Sequence, residues 1–524
     1  MKKILAFVFL ISSSIQAQYT INGSMSPAVK SDWIILYEIE STKLNYVQHS
    51  KIKLDTINAQ GEKKEIATFL FELPKDTRIG AYRISYGIGE GSFVDFFYNK
   101  ENIHFNFDPE SPEESISFTS SKENLLYQES IALISKEQQK LDAIQNKVLQ
   151  NPSLNLNSAY KKALNSLNSI QKKYIEASRG MYVHTFIKAF LKKNAPEIIT
   201  TPQKYQSHLM TTFFNHIDFS DKKLINSPVL TKKIIEYLFS INYSEDTKTQ
   251  NNLFKKSIDL VLSKITNLDY KEEIIVFLMA KFETINALKI LDYLLEDQYK
   301  KLPLPLQKEE FYIEKKNLLA TQIGRMAPDF SWKENGEIVA LSKLNKSQYY
   351  LLVFWSTECS HCLREIPQLD QYLGINKKIT TIAISLEKND LNWKIYKKKL
   401  PNWQHVFGEG KWENKIVKTY NINATPTYFI LDSTKNIIAK PYELEDVKEC
   451  ATFLKPALSN ESVQVVAAMT REQYEKLIKS DKAFAERFKP IFFNPTDKKQ
   501  TLSILNEKVR RSAPDLSYSQ AALE

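Results

Sequence analysis

Hydrophobic and polar positions divide the chain into stretches of different period. Between residues 18 and 121, short apolar or alternating runs (Trp33 to Tyr37, Ile66 to Leu73, Tyr82 to Tyr86, Phe93 to Tyr98, Ile103 to Phe107) are rich in aromatic and β-branched residues. Period two places alternate side chains on one face of a sheet, and Gly61, Pro74, Gly80, Gly87 and Gly91 punctuate the runs. The pattern predicts an antiparallel, sandwich-like β-domain of roughly six to eight strands. From 122 to 321 glycine nearly disappears and the period becomes helical. Ala163, Leu167, Ile170 and Tyr174 form one apolar stripe, and Ile285, Leu288, Leu291 and Leu295 form another. Such stripes are core faces, so this stretch is expected to be an all-α domain.

From 322 to 458 both periods occur. Phe330 to Trp332 reads as a strand, Glu334-Asn335-Gly336 as a turn, and the unbroken apolar run Tyr349 to Trp355 as a strand buried on both faces. Ile379 to Ser385 and Thr427 to Asp432 are further strands; Leu363 to Leu373, Asn392 to Leu400 and Glu445 to Leu454 are helices. The chain is therefore expected to be multidomain: an antiparallel β-domain, an all-α middle domain, an α/β domain and a short α/β tail over 459–524.

The first residues have their own pattern. Met1-Lys2-Lys3 precedes the apolar run Ile4 to Ile11, then three serines and Ala17 before Gln18. A basic start, a short apolar core and a small residue at the end describe a cleaved signal peptide over 1–17. The run is too short to span a bilayer, no later run approaches the ~20 residues that spanning requires, and no cysteine stands at the cleavage point for a lipid anchor. A periplasmic or otherwise exported protein without stable membrane insertion is expected.

Composition adds mainly exclusions. Over 524 residues, 43% hydrophobic and 25% charged is ordinary globular usage. The net charge of +10, or +8 without Lys2 and Lys3, comes from scattered lysines such as Lys161, Lys162, Lys172 and Lys173. No zinc-finger, stacking or arginine-rich pattern accompanies them, so no nucleic-acid partner is expected. His208 and His216 share no helix face and no acidic partner at ligand spacing. His405 has no paired ligand and Cys450 no partner cysteine. No metal and no cofactor are expected.

Three cysteines are too few for a disulfide-stapled scaffold, yet two of them form Cys359-Ser360-His361-Cys362 at a strand-to-helix junction. That spacing on a first helical turn brings two sulfurs within bonding reach. Free N–H groups and the helix dipole there stabilise a thiolate, the species that attacks a disulfide. Ala424-Thr425-Pro426 precedes the Thr427 strand. A cis bond before Pro426 would offer the Thr425 backbone to an extended substrate chain as a short pairing edge.

These motifs resemble one family. Gly324-x-x-Ala327-Pro328-x-Phe330, Phe354-Trp355, Cys359-x-x-Cys362-x-x-Glu365-x-Pro367 and Thr425-Pro426-Thr427, in that order, are similar to the TlpA/ResA-like branch of the thioredoxin superfamily, the periplasmic thiol:disulfide oxidoreductases. The resemblance covers about residues 323–458. It implies that Cys359 attacks, Cys362 resolves and Glu365 assists proton transfer. Trp355, His361, Thr425 and Pro426 are expected on the substrate side, and Pro367 is expected to kink its helix. It also implies thiol or disulfide protein substrates and a membrane-bound thiol electron donor. The β-rich start resembles N-terminal domains of unassigned role that precede thioredoxin-like modules in secreted bacterial proteins.

Two positions bear on the direction of electron flow. Glu358 stands where the family commonly has Trp, and a carboxylate there should raise the Cys359 pKa; His361, protonated or donating a hydrogen bond, should lower it. A reductase is favoured, with an oxidant or isomerase, or a binding and scaffold protein on a redox-silent platform, kept as alternatives. Cys450 is read as a buried inert thiol. Residues 463–524 resemble a piece of a Clp-type AAA+ ATPase module, with Thr470 and Arg487 at its phosphate-sensing and intersubunit positions. The chain has no G-x-x-x-x-G-K-[S/T] loop, so ATP hydrolysis by it alone is not expected.

Overall fold

In the computed structural model, which describes residues 19–29, 31–59, 62–87, 91–241, 243–334, 336–374 and 378–453, the period-two runs become nine strands before residue 121. They are β1 (Tyr19–Met25), β2 (Trp33–Glu40), β3 (Lys43–Lys51), β4 (Lys53–Ala59), β5 (Glu62–Leu73), β6 (Gly80–Ser85), β7 (Phe93–Tyr98), β8 (Ile103–Phe107) and β9 (Ser117–Ser120). Two sheets, β4-β5-β1-β8-β9 and β3-β2-β6-β7, enclose one core containing Ile21, Phe69 and Phe105 from the first and Ile34, Ile84 and Phe96 from the second. The signal peptide expected over 1–17, the tail with Thr470 and Arg487, and the side chain of Cys450 lie outside the described residues.

Two features correct the expectation for this region. The strands exceed eight because β3 is mostly exposed and polar and β9 has four residues, so neither carries a strong apolar signal. Only Ile52 separates β3 from β4, and one extended ribbon passes from sheet to sheet. The domain is also not purely antiparallel: β1 and β8 pair in parallel, Ile21 with Ile103 through Met25 with Phe107. β2 to β7 lie between them and serve as the long connection a parallel pair needs. Gly23 permits the close approach, since a Cβ there would lie 2.0 Å from the Phe105 carbonyl oxygen.

The helices that follow belong to the same compact unit, which runs to Glu309. Asn124, on the first turn of the helix Lys122–Gln150, accepts from Phe97 N–H (2.9 Å) and donates to Phe97 C=O (2.6 Å), covering the free edge of β7. On the helix Asn157–Ala177, Leu167 and Tyr174 of the first stripe are buried. The second stripe is interrupted. Ile285 is exposed just beyond the helix Leu268–Thr284, Asn286 takes a left-handed φ of 50°, and the chain restarts as Leu288–Asp292. The apolar spacing continues across the break, where Leu291 and Leu295 are buried.

The second unit begins at Glu310. Strands β10 (Ser331–Glu334) and β11 (Glu337–Ala340) form a hairpin ladder. The main sheet has the order β14-β13-β12-β15-β16, from β12 (Tyr349–Trp355), β13 (Ile379–Glu387), β14 (Gln404–Glu409), β15 (Thr427–Asp432) and β16 (Ile437–Ala439). β12 pairs in parallel with β13 and antiparallel with β15. Every residue of β12 is buried: Tyr350, Leu352 and Phe354 enter one core, while Leu351, Val353 and Trp355 enter the other with Cys362, Ile366 and Leu369. That explains the unbroken apolar run, and it seats the helix Ser360–Leu373 against the end of the central strand. Among the described residues, no helix is long and apolar enough to cross a membrane.

Candidate functional site: a dithiol at a helix N-terminus

Strand β12 ends at Trp355, and four residues later Cys359 caps the helix Ser360–Leu373. The Cys359 sulfur accepts from Cys362 N–H at 3.2 Å, and as a thiol it donates to the Thr425 carbonyl at 3.3 Å. The Thr425–Pro426 bond is cis, and Thr425 and the Cys pair are adjacent although 66 residues separate them. Both cysteines are free thiols; Cys359 is half-buried and Cys362 buried. Their environments divide them. Burial pushes the Cys359 thiol up, but hydrogen bonding with the Cys362 side chain and backbone, contact with Thr425 and the His361 backbone N–H outweigh it, and the group lies below its ordinary 9.0. Burial, aided by the Cys359 hydrogen bond, pushes Cys362 up to about 12.

Glu365 lies one turn along the helix, with both oxygens occupied. Tyr428 OH donates to Oε2 at 3.1 Å, and His361 Nδ1 meets Oε1 at 3.3 Å. Arg364 donates to His361 Nε2 at 2.9 Å, so the lone pair is on Nε2 and Nδ1–H is the donor toward Glu365. The His361 ring thus faces Glu365 and Arg364, and it is the His361 backbone that supports the thiolate. Burial holds the Tyr428 hydroxyl well above its ordinary value, with the charges of Glu365 and of both cysteines adding to the effect.

The loop before the dithiol is fixed by a carboxylate. Glu387, buried at the end of β13, accepts from Thr357 N–H (2.6 Å) and from Thr357 Oγ1 (2.9 Å). Glu358 pairs with Lys411, which holds its carboxyl below the usual range. The Glu358 charge, expected to raise the Cys359 pKa, is engaged by Lys411, and the Cys359 thiol lies below its ordinary value through local hydrogen bonds.

The structure brings Cys359, Cys362, His361, Glu365, Thr425 and Pro426 to one end of the sheet. Trp355 differs, having no exposed surface. It lies beneath the dithiol and, with Cys362, Leu363, Ile366, Tyr396 and Leu400, lines a cavity of about 270 Å³. A contact with substrate at the surface is not open to it, because the strand that delivers the cysteines is central and buried on both sides. Pro367 is inside the helix and exposed. Sequence reasoning passed over Tyr428, Glu387 and Lys411. Only Tyr428 left a signal there, as the alternate residue of β15 pointing to the same core as Cys362; the other two act through contacts 30 and 53 residues distant.

Comparison with known proteins agrees with this geometry. Residues 346–437 match the thioredoxin-like family. The chain is 26% identical to the thiol-disulfide oxidoreductase ResA of Bacillus cereus over 134 residues, covering 25% of this chain and 73% of that one. It is 26% identical to ResA of Geobacillus kaustophilus over 152 residues, 28% of this chain and 84% of that one. A separate match, 36% identical over 61 residues, is to the chaperone protein ClpB of Aquifex aeolicus. It spans 12% of this chain and only 6% of the chaperone, in keeping with the Clp-type resemblance of the tail. The unit that presents Cys359 and Cys362 thus contains a thioredoxin-like domain similar to the ResA thiol-disulfide oxidoreductases.

Proposed function

We propose that the chain is an exported thiol:disulfide oxidoreductase that reduces disulfides in proteins through Cys359 and Cys362. The asymmetry of the two sulfurs carries the reading: a half-buried thiol drawn toward its thiolate beside a buried one held protonated. The Cys359 thiolate attacks one sulfur of a substrate disulfide, forming a mixed disulfide and releasing the other sulfur as a thiolate that takes a proton from solvent. Cys362 then gives its proton to the Glu365 carboxylate and attacks the Cys359 sulfur. The Cys359–Cys362 disulfide forms as the bond from Cys359 to the substrate breaks, and the second substrate sulfur leaves and takes the proton that Glu365 received. The substrate gains two electrons and two protons, and a membrane-bound thiol donor returns them to the pair. Thr425 and Pro426 offer the substrate chain its backbone pairing edge, beside His361. The electrons travel on sulfur alone, so no cofactor or metal takes part. The signal peptide over 1–17 carries the protein out of the cytoplasm, and the segments 18–121 and 122–321 carry or place the domain 322–458.

One observation favours a second reading. A stabilised Cys359 thiolate stabilises the reduced pair and makes it more oxidising, as a disulfide oxidant or isomerase requires. Equilibrating the purified chain with reduced and oxidised glutathione separates the two. A pair that stays oxidised in excess reduced glutathione, and whose reduced form cleaves a disulfide peptide, is the reductase. A pair reduced by equimolar glutathione is the oxidant. A pair that never exchanges leaves only the scaffold reading.

A further inference from the structure

The loop that follows β14 contains Gly410 and Lys411 in succession with φ of 85° and 53°. Glycine occupies the left-handed region freely, whereas lysine does so at a cost that the surroundings must offset. The surroundings here are specific. Gly410 N–H donates to the Glu387 backbone carbonyl at 3.1 Å, and the same residue's carboxylate holds Thr357. Two loops are thus anchored on one residue, and between them Lys411 Nζ closes on the Glu358 carboxylate, immediately before Cys359. The Lys411 side chain is 20% exposed although it is a lysine on a loop, while Glu358 is 56% exposed.

The geometry points to Lys411 as a positioning residue for the redox pair: it engages the Glu358 carboxylate and cancels that charge beside Cys359, so that the pair tunes how readily the Cys359 thiolate forms. The inference rests on the proposed dithiol chemistry but concerns the thiolate alone. The other ionisable groups around the dithiol are Cys362, His361, Arg364 and Glu365 on its helix and Tyr428 on β15, while Lys388 also draws the Glu358 carboxyl down. None of them is a bonded partner of Glu358 as Lys411 is. Removing the cation leaves a bare carboxylate next to the nucleophile; removing the carboxylate leaves a bare cation. The two changes should move the thiol in opposite directions.

The test is the pH dependence of iodoacetamide alkylation in the reduced full-length protein, with the Cys359 peptide read by mass spectrometry. Lys411→Met should raise the midpoint by about one pH unit, which is about tenfold less thiolate at neutral pH. Glu358→Gln should lower it, and the double variant should return close to wild type. Lys411→Arg should leave it in place. Equal midpoints throughout, or shifts of the same sign in both single variants, would overturn the inference. If Lys411→Met does not fold, Glu358→Gln at its exposed position still decides, because an unchanged or raised midpoint contradicts the account. Wild-type protein that fails to exchange disulfides while the opposed shifts appear would remove the oxidoreductase reading and leave this one standing.

Discussion

Glu123 in the first unit and Glu387 in the second are both buried carboxylates, 4% and 3% exposed, and both use their two oxygens to hold a distant piece of chain. Glu123 accepts from Asn99 Nδ2 and from the backbone N–H groups of Tyr182 and Val183, at the start of the helix His184–Phe190. Among the described residues the Glu387 carboxylate accepts from Thr357 alone, through N–H and Oγ1. The physics is shared, since a buried carboxylate needs donors and organises whatever supplies them. The consequence differs. The segment held by Glu123 leads into a core helix whose Phe186 stacks on Phe97 at 4.3 Å, whereas the segment held by Glu387 ends two residues later in a nucleophile. Burial of a carboxylate shows that a segment must be held still; the chemistry on that segment shows why.

Changes made in this order should break or sharpen the contrast. Cys359→Ser has the largest effect: disulfide exchange should fall by at least about a thousandfold, since no other described sulfur combines exposure with a stabilised thiolate. Denaturant unfolding of the first unit should not change. Next come Glu123→Ala and Glu387→Ala, each expected to cost about 1–3 kcal/mol in chemical denaturation by leaving buried donors unsatisfied. Only Glu387→Ala should also slow exchange, by about tenfold; an equal slowing from Glu123→Ala would erase the distinction. Tyr428→Phe removes one donor from Glu365, worth about 0.5–1.5 kcal/mol. Single-turnover kinetics should show the loss in release of the mixed disulfide, with its formation unaffected.

The last effect is in pH. Cys362 has its folded pKa raised from 9.0 to about 12, so its contribution to the stability of the reduced protein is complete below pH 9 and is lost as pH rises toward 12. Cys359, with its pKa lowered, acts in the opposite sense: its contribution is present above pH 9 and is lost as pH falls through its folded value. Thermal stability of the reduced protein should therefore decline between pH 9 and 11, and Cys362→Ala should make that decline shallower, with the remainder due to tyrosines such as Tyr428 and Tyr127 that burial also raises.

Where one residue pattern determined the outcome, the sequence was readable. The run Tyr349–Trp355 announced a central strand because both faces of β12 are buried, and C-x-x-C after it placed two sulfurs on one helical turn. What depended on contacts between distant segments was not readable. Nothing local in Gly23 declares a parallel neighbour 82 residues on, nor does Lys411 declare Glu358 as its partner. The stripe through Ile285 misled for a related reason: a left-handed Asn286 ends one helix without disturbing the apolar spacing that the next one continues. The family resemblance points Trp355 to the substrate side, while the pleat of β12 turns it into the core.

The central claim, that Cys359 attacks and Cys362 resolves, is tested most directly by trapping. Full-length Cys362→Ser protein mixed with a disulfide-bonded peptide should accumulate a stable mixed disulfide, mapped by mass spectrometry to Cys359, while Cys359→Ser protein accumulates none. A peptide adduct on Cys362 in the Cys359→Ser protein, or no adduct in either, would contradict the account.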